Sequence, residues 1–302
     1  MSMHDNSTPA RRMQPILHVM RVRERHWVGD GFFVSTVFSP HQIDPQIISP
    51  FLLLDYGAPK EWQPGAGKRG VGEHPHRGFE TVTFAYQGAV EHRDSHGGGG
   101  IIKAGDVQWM TAGSGVVHEE MHAKDFTQEG GLFEMVQLWV NLPSHLKMVD
   151  PRYQALKDES FPRLTLGSAQ ARLIAGDLAG VDGPALTYSP VTMFDLEFVR
   201  SGSTDFVLAD HTTTLIFVLR GRVTAQGAYA VEAGDLMVMD RSRPGRIHLE
   251  SDAGTRLLVL NGQPLNEPVV THGPFVMNTR AQIIEAIHDY QSGKMGTLTP
   301  RP

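Results

Sequence analysis

Between Val28 and Leu54 short apolar stretches alternate with turn residues, as in F-F-V-S-T-V-F and then I-S-P-F-L-L-L-D. The pattern continues through T-V-T-F-A-Y, D-V-Q-W-M and M-V-Q-L-W-V, with Gly, Asn or Pro close to the ends of the runs. Runs of this kind, closed by such residues, read as β-strands joined by tight turns. Near Asn141 to Pro151 the pattern breaks at Pro143, a Lys/His mixture and Pro151, and less regular sequence follows to about Tyr188. A second strand-rich block then reads V-T-M-F-D-L-E-F, T-L-I-F-V-L, D-L-M-V-M and R-L-L-V-L. The end of the chain differs. Thr279 to Gln282 has capping-box spacing, Ile283, Ile284, Ile287 and Tyr290 are expected on one helical face, and Gly293 supplies a stop.

The two strand-rich blocks also echo each other. Tyr86-Gln87-Gly88 followed by Ala104-Gly105-Asp106 in the first matches Leu219-Arg220-Gly221 followed by Ala233-Gly234-Asp235 in the second. A duplicated small β-barrel explains the echo, because closing a sheet on itself removes exposed strand edges. A length of 302 residues suits two domains, and 32 glycines and 19 prolines favour the many turns of an all-β chain. The expected division is a loose leader over 1–15, a first barrel over 16–145, a connection over 146–188, and a second barrel over 189–302 that ends in the short helix.

Composition narrows the chemistry. A net charge of −6, with no basic patch interleaved with aromatics, argues against direct nucleic-acid binding; Arg241, Arg243 and Arg246 read as a solvated loop. There are no cysteines, which removes disulfides, thiolate metal sites and cysteine nucleophiles together. No apolar run approaches the ~20 residues of a membrane span, and no secretory signal is visible. A soluble, cytoplasmic protein is the expectation.

Two stretches carry candidate chemistry: E-H-P-H-R-G-F-E from Glu73 to Glu80, and V-V-H-E-E-M-H from Val116 to His122. Side chains two apart on a strand share a face, so His74 and His76 project together, as do His118 and Glu120. If both pairs face one interior, three imidazoles and a carboxylate converge on a site for a first-row transition metal. With only nitrogen and oxygen donors, iron, copper, nickel, manganese and zinc are the candidates. Several competing donors are nearby. His122 shares the parity of His118 and Glu120 and is an alternative ligand, Glu119 points to the opposite face, and Glu80 lies roughly 13 Å along the strand from His76. His92 and His96, in E-H-R-D-S-H-G-G-G-G, read as hairpin or loop residues with supporting or surface roles. In the second block the positions matching the first histidine pair are Val207 and Ala209. His248-Leu249-Glu250 echoes the later half of the motif, which makes a poor site.

H-P-H-R-G-F-E-T-V, G-D-V-Q-W-M-T-A-G-S-G-V-V-H-E-E-M and G-P-F-V-M-N-T-R resemble the pirin family of the cupin superfamily, over nearly the whole chain from Ile16 to Gly296. The resemblance implies two cupin-type barrels (double-stranded β-helices, or jelly rolls) with one metal, held in the first by His74, His76, His118 and Glu120. It also implies that Glu80, the general cupin glutamate, is not a ligand. Glu119 departs from the family pattern, where a smaller residue is common between the last two ligands. Some pirins resemble quercetinases, which open the central ring of flavonols with molecular oxygen and release carbon monoxide; others act as partners of regulatory or metabolic proteins.

The leading expectation is therefore an enzyme: a metal-dependent dioxygenase, with Fe(II) first and Zn, Cu, Ni or Mn as alternatives. Its substrates would be O2 and a small aromatic such as a flavonol. Glu120, the anionic ligand, would take the substrate's hydroxyl proton, and Trp109, Met110 and Phe79 are candidates for an apolar entrance. The alternative is a non-enzymatic module whose metal state is read by a protein partner. A third reading is a closed structural zinc site.

Overall fold

The structure, a computed structural model, describes residues 12–298. Strands Phe32–Phe38, Phe51–Trp62, Phe79–Gln87, Val107–Thr111 and Gly131–Asn141 form the body of a seven-stranded sheet, edged by His26–Val28 and Arg152–Leu156. A four-stranded sheet of Gly70–His76, Val116–His122, Ala89–Asp94 and Gly99–Lys103, in that spatial order, completes the first barrel. The second barrel repeats the plan with another seven-stranded and four-stranded pair.

The echo seen in the sequence is a structural repeat. Gly88, Gly105, Gly221 and Gly234 all have φ between 79° and 95°, a region open to glycine at little steric cost. Gly105 N donates to Ala85 O at 2.7 Å, and Gly234 N to Val218 O at 2.8 Å. Asp106 accepts from Lys103 N at 3.1 Å, and Asp235 accepts from Glu232 N at 3.2 Å. The same aspartate therefore closes the same turn in both barrels.

The large sheets pack back to back. One face of the first, with Phe84, Val107, Trp109 and Leu138, shares a continuous core with Phe217, Leu236 and Leu258 of the second. The interior of the second barrel is filled by its own apolar cluster, including Phe194, Ile216, Met237 and Val259. Because both faces of Phe79–Gln87 are covered, every residue in it except Gln87 is buried. Polar side chains at Thr81 and Thr83 mark the face that looks into the first barrel.

Strand pairing divides the chain differently from the sequence pattern. Ile16–Arg21, expected in the first barrel, pairs with Asp235–Met239 and edges the large sheet of the second. Met13 and Gln14, expected in a loose leader, bond to Arg246; residues 1–11 of that leader lie outside the described residues. The stretch 146–188 is also more than a connection. Arg152–Leu156 pairs with Val107–Thr111 of the first barrel, while Arg163–Leu166 and Ala169–Ala175 join the second. Each exchanged strand covers a sheet edge that would otherwise present unpaired backbone groups.

Helix Arg280–Gln291 begins with the capping box formed by Thr279 and Gln282. Ile283 and Ala286 are buried and Ile287 partly so, packed with Val117, Phe275 and Met295. Ile284 is 67% exposed, contrary to expectation; it lies about 100° round the helix from Ile283, off the buried face. The helix thus returns the end of the chain to the first barrel. Among the described residues no helix is long and apolar enough to cross a membrane.

Candidate metal centre

Gly70–His76 and Val116–His122 are neighbouring antiparallel strands of the small sheet. His74 and His118 are register partners, and His76 lies opposite Val116. Pro75, which has no N–H to donate, is tolerated between the two histidines because Gly70–His76 is the outermost strand. The imidazole centroids are 4.9 Å apart for His74 and His76, 4.2 Å for His74 and His118, and 4.8 Å for His76 and His118. One nitrogen from each ring falls within 4.8 Å of the other two.

Each ring is oriented through Nδ1. His74 Nδ1 meets Gly72 O at 2.8 Å and His76 Nδ1 meets Pro274 O at 3.4 Å. His118 Nδ1 lies 3.3 Å from His92 Nδ1, and His92 Nε2 is 3.4 Å from Asp94 Oδ2. That leaves Nε2 of each ring for a ligand. His118 Nε2 is buried and has no hydrogen-bond partner among the described residues, which is costly unless something binds there. Burial, reinforced by the charge of neighbouring histidines, holds His76 and His118 well below the usual imidazole pKa. Both therefore stay neutral, the form that binds a metal. A divalent transition metal fits these donors.

Glu120 reaches the same region by a different route. A register shift after His118 sets it opposite Val71. Its Oε1 accepts from Gln108 Nε2 at 2.5 Å and lies 3.1 Å from Thr83 Oγ1. It groups with His118 and His92, whereas His74, His76 and His118 form the other group; His118 belongs to both.

The competing donors separate from this centre. His122 Nε2 bonds Gly31 O at 2.8 Å within a box of Phe32, Trp62, Phe126 and Phe133. Glu119 accepts from Arg93 at 2.8 Å. Glu80 stands on the next strand, fully buried, and accepts from Thr111 at 2.7 Å. In the second barrel Ile247 and Leu249 face the core, so His248 and Glu250 lie on the outside, bonded to each other at 2.8 Å. His92, read as a hairpin or loop residue, is buried on strand Ala89–Asp94 directly behind His118, stacked on Tyr153.

A cavity of about 250 Å³ opens on the centre, lined by His74, His76 and Glu120 and by Val28, Phe32, Val34, Met135 and Trp139. Trp109, Met110 and Phe79 do not line it. Trp109 points to the opposite face, into the core between the barrels, Met110 packs with Ala112 and Val116, and Phe79 lies behind Trp139 at 4.3 Å. Trp139, 5.3 Å from the His76 ring, is the aromatic wall. Its signal in the sequence was alternation along M-V-Q-L-W-V, where Met135, Gln137 and Trp139 share one face. Pro274, also on the wall, arrives from the far end of the chain.

Comparison with known proteins finds relatives along most of the chain. Residues 33–140 match the Pirin family and residues 193–296 match the Pirin C-terminal cupin domain. A Pseudomonas aeruginosa protein provisionally named a quercetin 2,3-dioxygenase is 48% identical over 284 residues, covering 93% of this chain and 98% of that protein. The crystal structure of a quercetin 2,3-dioxygenase from Acinetobacter baumannii, also 48% identical, superposes with a TM-score of 0.91 over 95% of this chain and 100% of that one. The bacterial pirin YhhW of Escherichia coli, in complex with nickel(II), shares the fold at 20% identity, with a TM-score of 0.64 over 82% of this chain and 99% of that one.

Proposed function

This chain belongs to the pirin family, and on that premise we propose that it is a metal-dependent dioxygenase that opens the central ring of a flavonol with O2 and releases carbon monoxide. His74, His76, His118 and Glu120 would hold the metal, with Fe(II) the first choice. The observation that carries this reading is the convergence of three histidines beside a cavity that two of them, His74 and His76, line together with Glu120 and a mostly aliphatic and aromatic wall. A metal enclosed only for structural support needs no such room beside it. The names of the two 48%-identical bacterial proteins support the flavonol as substrate class.

A bound ferrous ion would supply Lewis acidity toward a substrate hydroxyl and redox access to dioxygen. The chain's own residues supply the rest. Gly72 O, Pro274 O and His92 fix the three imidazoles so that Nε2 is presented. Trp139, Val34 and Met135 offer flat apolar contact to a fused-ring substrate and exclude water from beside the histidines. Glu120 Oε1 is held by Gln108, so Oε2 is the oxygen presented to the site; it would help to hold the metal and, once released from it, take the phenolic proton.

Oxygen consumption by anaerobically purified, Fe(II)-reconstituted protein with quercetin tests the reading. Uptake with carbon monoxide release, lost together with metal content in His76→Ala, is the expected outcome. No uptake despite a filled site, or turnover surviving in metal-free His76→Ala, would remove it.

A further inference from the structure

A single row of polar side chains crosses the inner face of the large sheet in the first barrel. Thr36, Asp55, Gln137, Thr83 and Gln108 are successive register partners on five adjacent strands, so their side chains emerge side by side on one face. The row is hydrogen-bonded at both ends. Thr36 Oγ1 donates to Asp55 Oδ1 at 2.6 Å. Thr83 Oγ1 donates to Gln137 Oε1 at 2.6 Å, and Gln108 Nε2 reaches Thr83 Oγ1 at 3.0 Å and Glu120 Oε1 at 2.5 Å.

The second barrel provides an internal control. On the repeat that matches Gly88 to Gly221 and Asp106 to Asp235, Thr83 corresponds to Ile216 and Gln108 to Met237. Their register neighbours Val259 and Phe194 take the places of Gln137 and Asp55. All four are apolar and fill the core of that barrel. The fold therefore does not require a polar row, and the row occurs in the barrel that carries the cavity.

The row has one break. Asp55 and Gln137 are register partners and both line the cavity, yet among the described residues no hydrogen bond joins them. Gln137 already accepts through Oε1, so its Nε2 is a donor without use in the row. Asp55 has one oxygen taken by Thr36 and a second still able to accept. Burial raises its pKa, against the lowering by Thr36 and by the charge of His26, so a donor to it would replace hydration it has lost. The group that closes the gap must accept from an amide and donate to a carboxylate. A hydroxyl does both; a carbonyl or a methyl group does not.

We propose that Asp55 and Gln137 form a recognition notch for a second substrate hydroxyl, distinct from the one that meets the metal, so that the site selects polyhydroxylated over singly hydroxylated flavonols. The position suits this role. Gln137 is two residues from Trp139 on the same strand face, roughly 7 Å along the cavity wall, and Trp139 is the residue that packs on His76. The inference rests on the flavonol reading above and names its specificity element.

The test compares quercetin with 3-hydroxyflavone, which keeps the 3-hydroxyl and lacks all the others. Anaerobic binding titrations and oxygen uptake would be run on metal-loaded wild type, Asp55→Leu and Gln137→Leu. Wild type should bind quercetin about tenfold or more tightly than 3-hydroxyflavone, the scale of one satisfied hydrogen bond in a closed site. Each variant should bring that ratio toward one, and Asp55→Asn should retain part of it. Equal affinity of wild type for both ligands, or a parallel loss of both in the variants, overturns the inference. If a variant fails to fold, the wild-type ratio alone decides. Uptake with equal affinities removes only the notch, whereas no uptake or binding with either flavonol defeats the dioxygenase reading and the notch with it.

Discussion

Arg77 and Asp289, 212 residues apart in the chain, form an ion pair at 2.9 Å with 4% and 10% of their side chains exposed. Arg77 directly follows His76 and also donates through Nε to Ser114 O at 2.7 Å. Asp289, on the C-terminal helix, takes a second cation from Lys294 at 2.7 Å. Lys294 and Arg77 together hold its carboxyl below the usual range. Between the two anchors runs the segment that brings Pro274 O to His76 Nδ1. The end of the second domain is thereby tied to the histidine strand of the first.

Asp289→Ala should destabilise the chain by about 3–5 kcal/mol, because it leaves the Arg77 guanidinium buried beside an empty position. It should also weaken metal binding, since the segment whose Pro274 carbonyl orients His76 loses one of its anchors. Thermal unfolding and metal titration check the two effects separately. A lower unfolding temperature with unchanged metal affinity would mean that the strap stabilises the fold without orienting the centre.

His92 should matter for metal affinity although it belongs to no ligand motif. It stands between Asp94 and His118 and fixes the ring whose Nε2 is left unpartnered. His92→Leu should lower metal affinity about 10–100-fold, as is usual when the partner of a ligand histidine is removed. His92→Asn, which can still hydrogen-bond His118, should recover part of it. Equal metal affinity in His92→Leu and wild type would assign His92 to packing alone.

The reasons some of this was legible in the sequence and some was not are physical. His74-x-His76 and His118-x-Glu120 stood out because strand periodicity of two is local, and the structure brings the three histidines together. His92 shares a face with Asp94 by the same rule, but four following glycines made its segment read as loop. Pairing with Val116–His122, a non-local event, makes it a strand. Trp109 is expected at the entrance and Trp139, which lines it, is missed, because in strands buried on both faces only the packing of the barrels tells inside from outside. The exchange of Ile16–Arg21 into the second barrel, and the return of residues 270–298 to the first, depend on contacts about two hundred residues apart that no local pattern encodes.

Glu80 should set a pH dependence of stability. Burial raises its carboxyl to about 7, with the Thr111 bond opposing, against 4.5 in the unfolded chain. The folded state therefore keeps a proton that the unfolded state releases. Its contribution is complete below about pH 4.5 and is lost as pH rises to about 7, at up to ~1.4 kcal/mol per pH unit. Glu80→Gln, neutral at every pH, should remove that slope and unfold at a higher temperature than wild type at pH 8. Parallel stability profiles for the two proteins between pH 4.5 and 8 would show that Glu80 does not titrate in this range.

Lys147 makes the last connection between the histidine strand and the C-terminal segment. It is 1% exposed, and its Nζ donates to Gly78 O at 2.7 Å, Asn141 Oδ1 at 2.6 Å and Val276 O at 3.0 Å. Gly78, in the turn after His76, has φ +88°, and a Cβ there would lie 2.1 Å from Val276 O. The two backbones can approach only because residue 78 has no side chain, and Lys147 fills the donor requirement of that contact. Lys147→Met keeps most of the volume but leaves three buried oxygens without their donor, which should cost on the order of 3 kcal/mol. The unfolding temperature should fall by several degrees, and hydrogen exchange should quicken first in residues 275–277. Uniform exchange across both barrels in the variant would instead mark Lys147 as a support of the whole fold rather than of this junction.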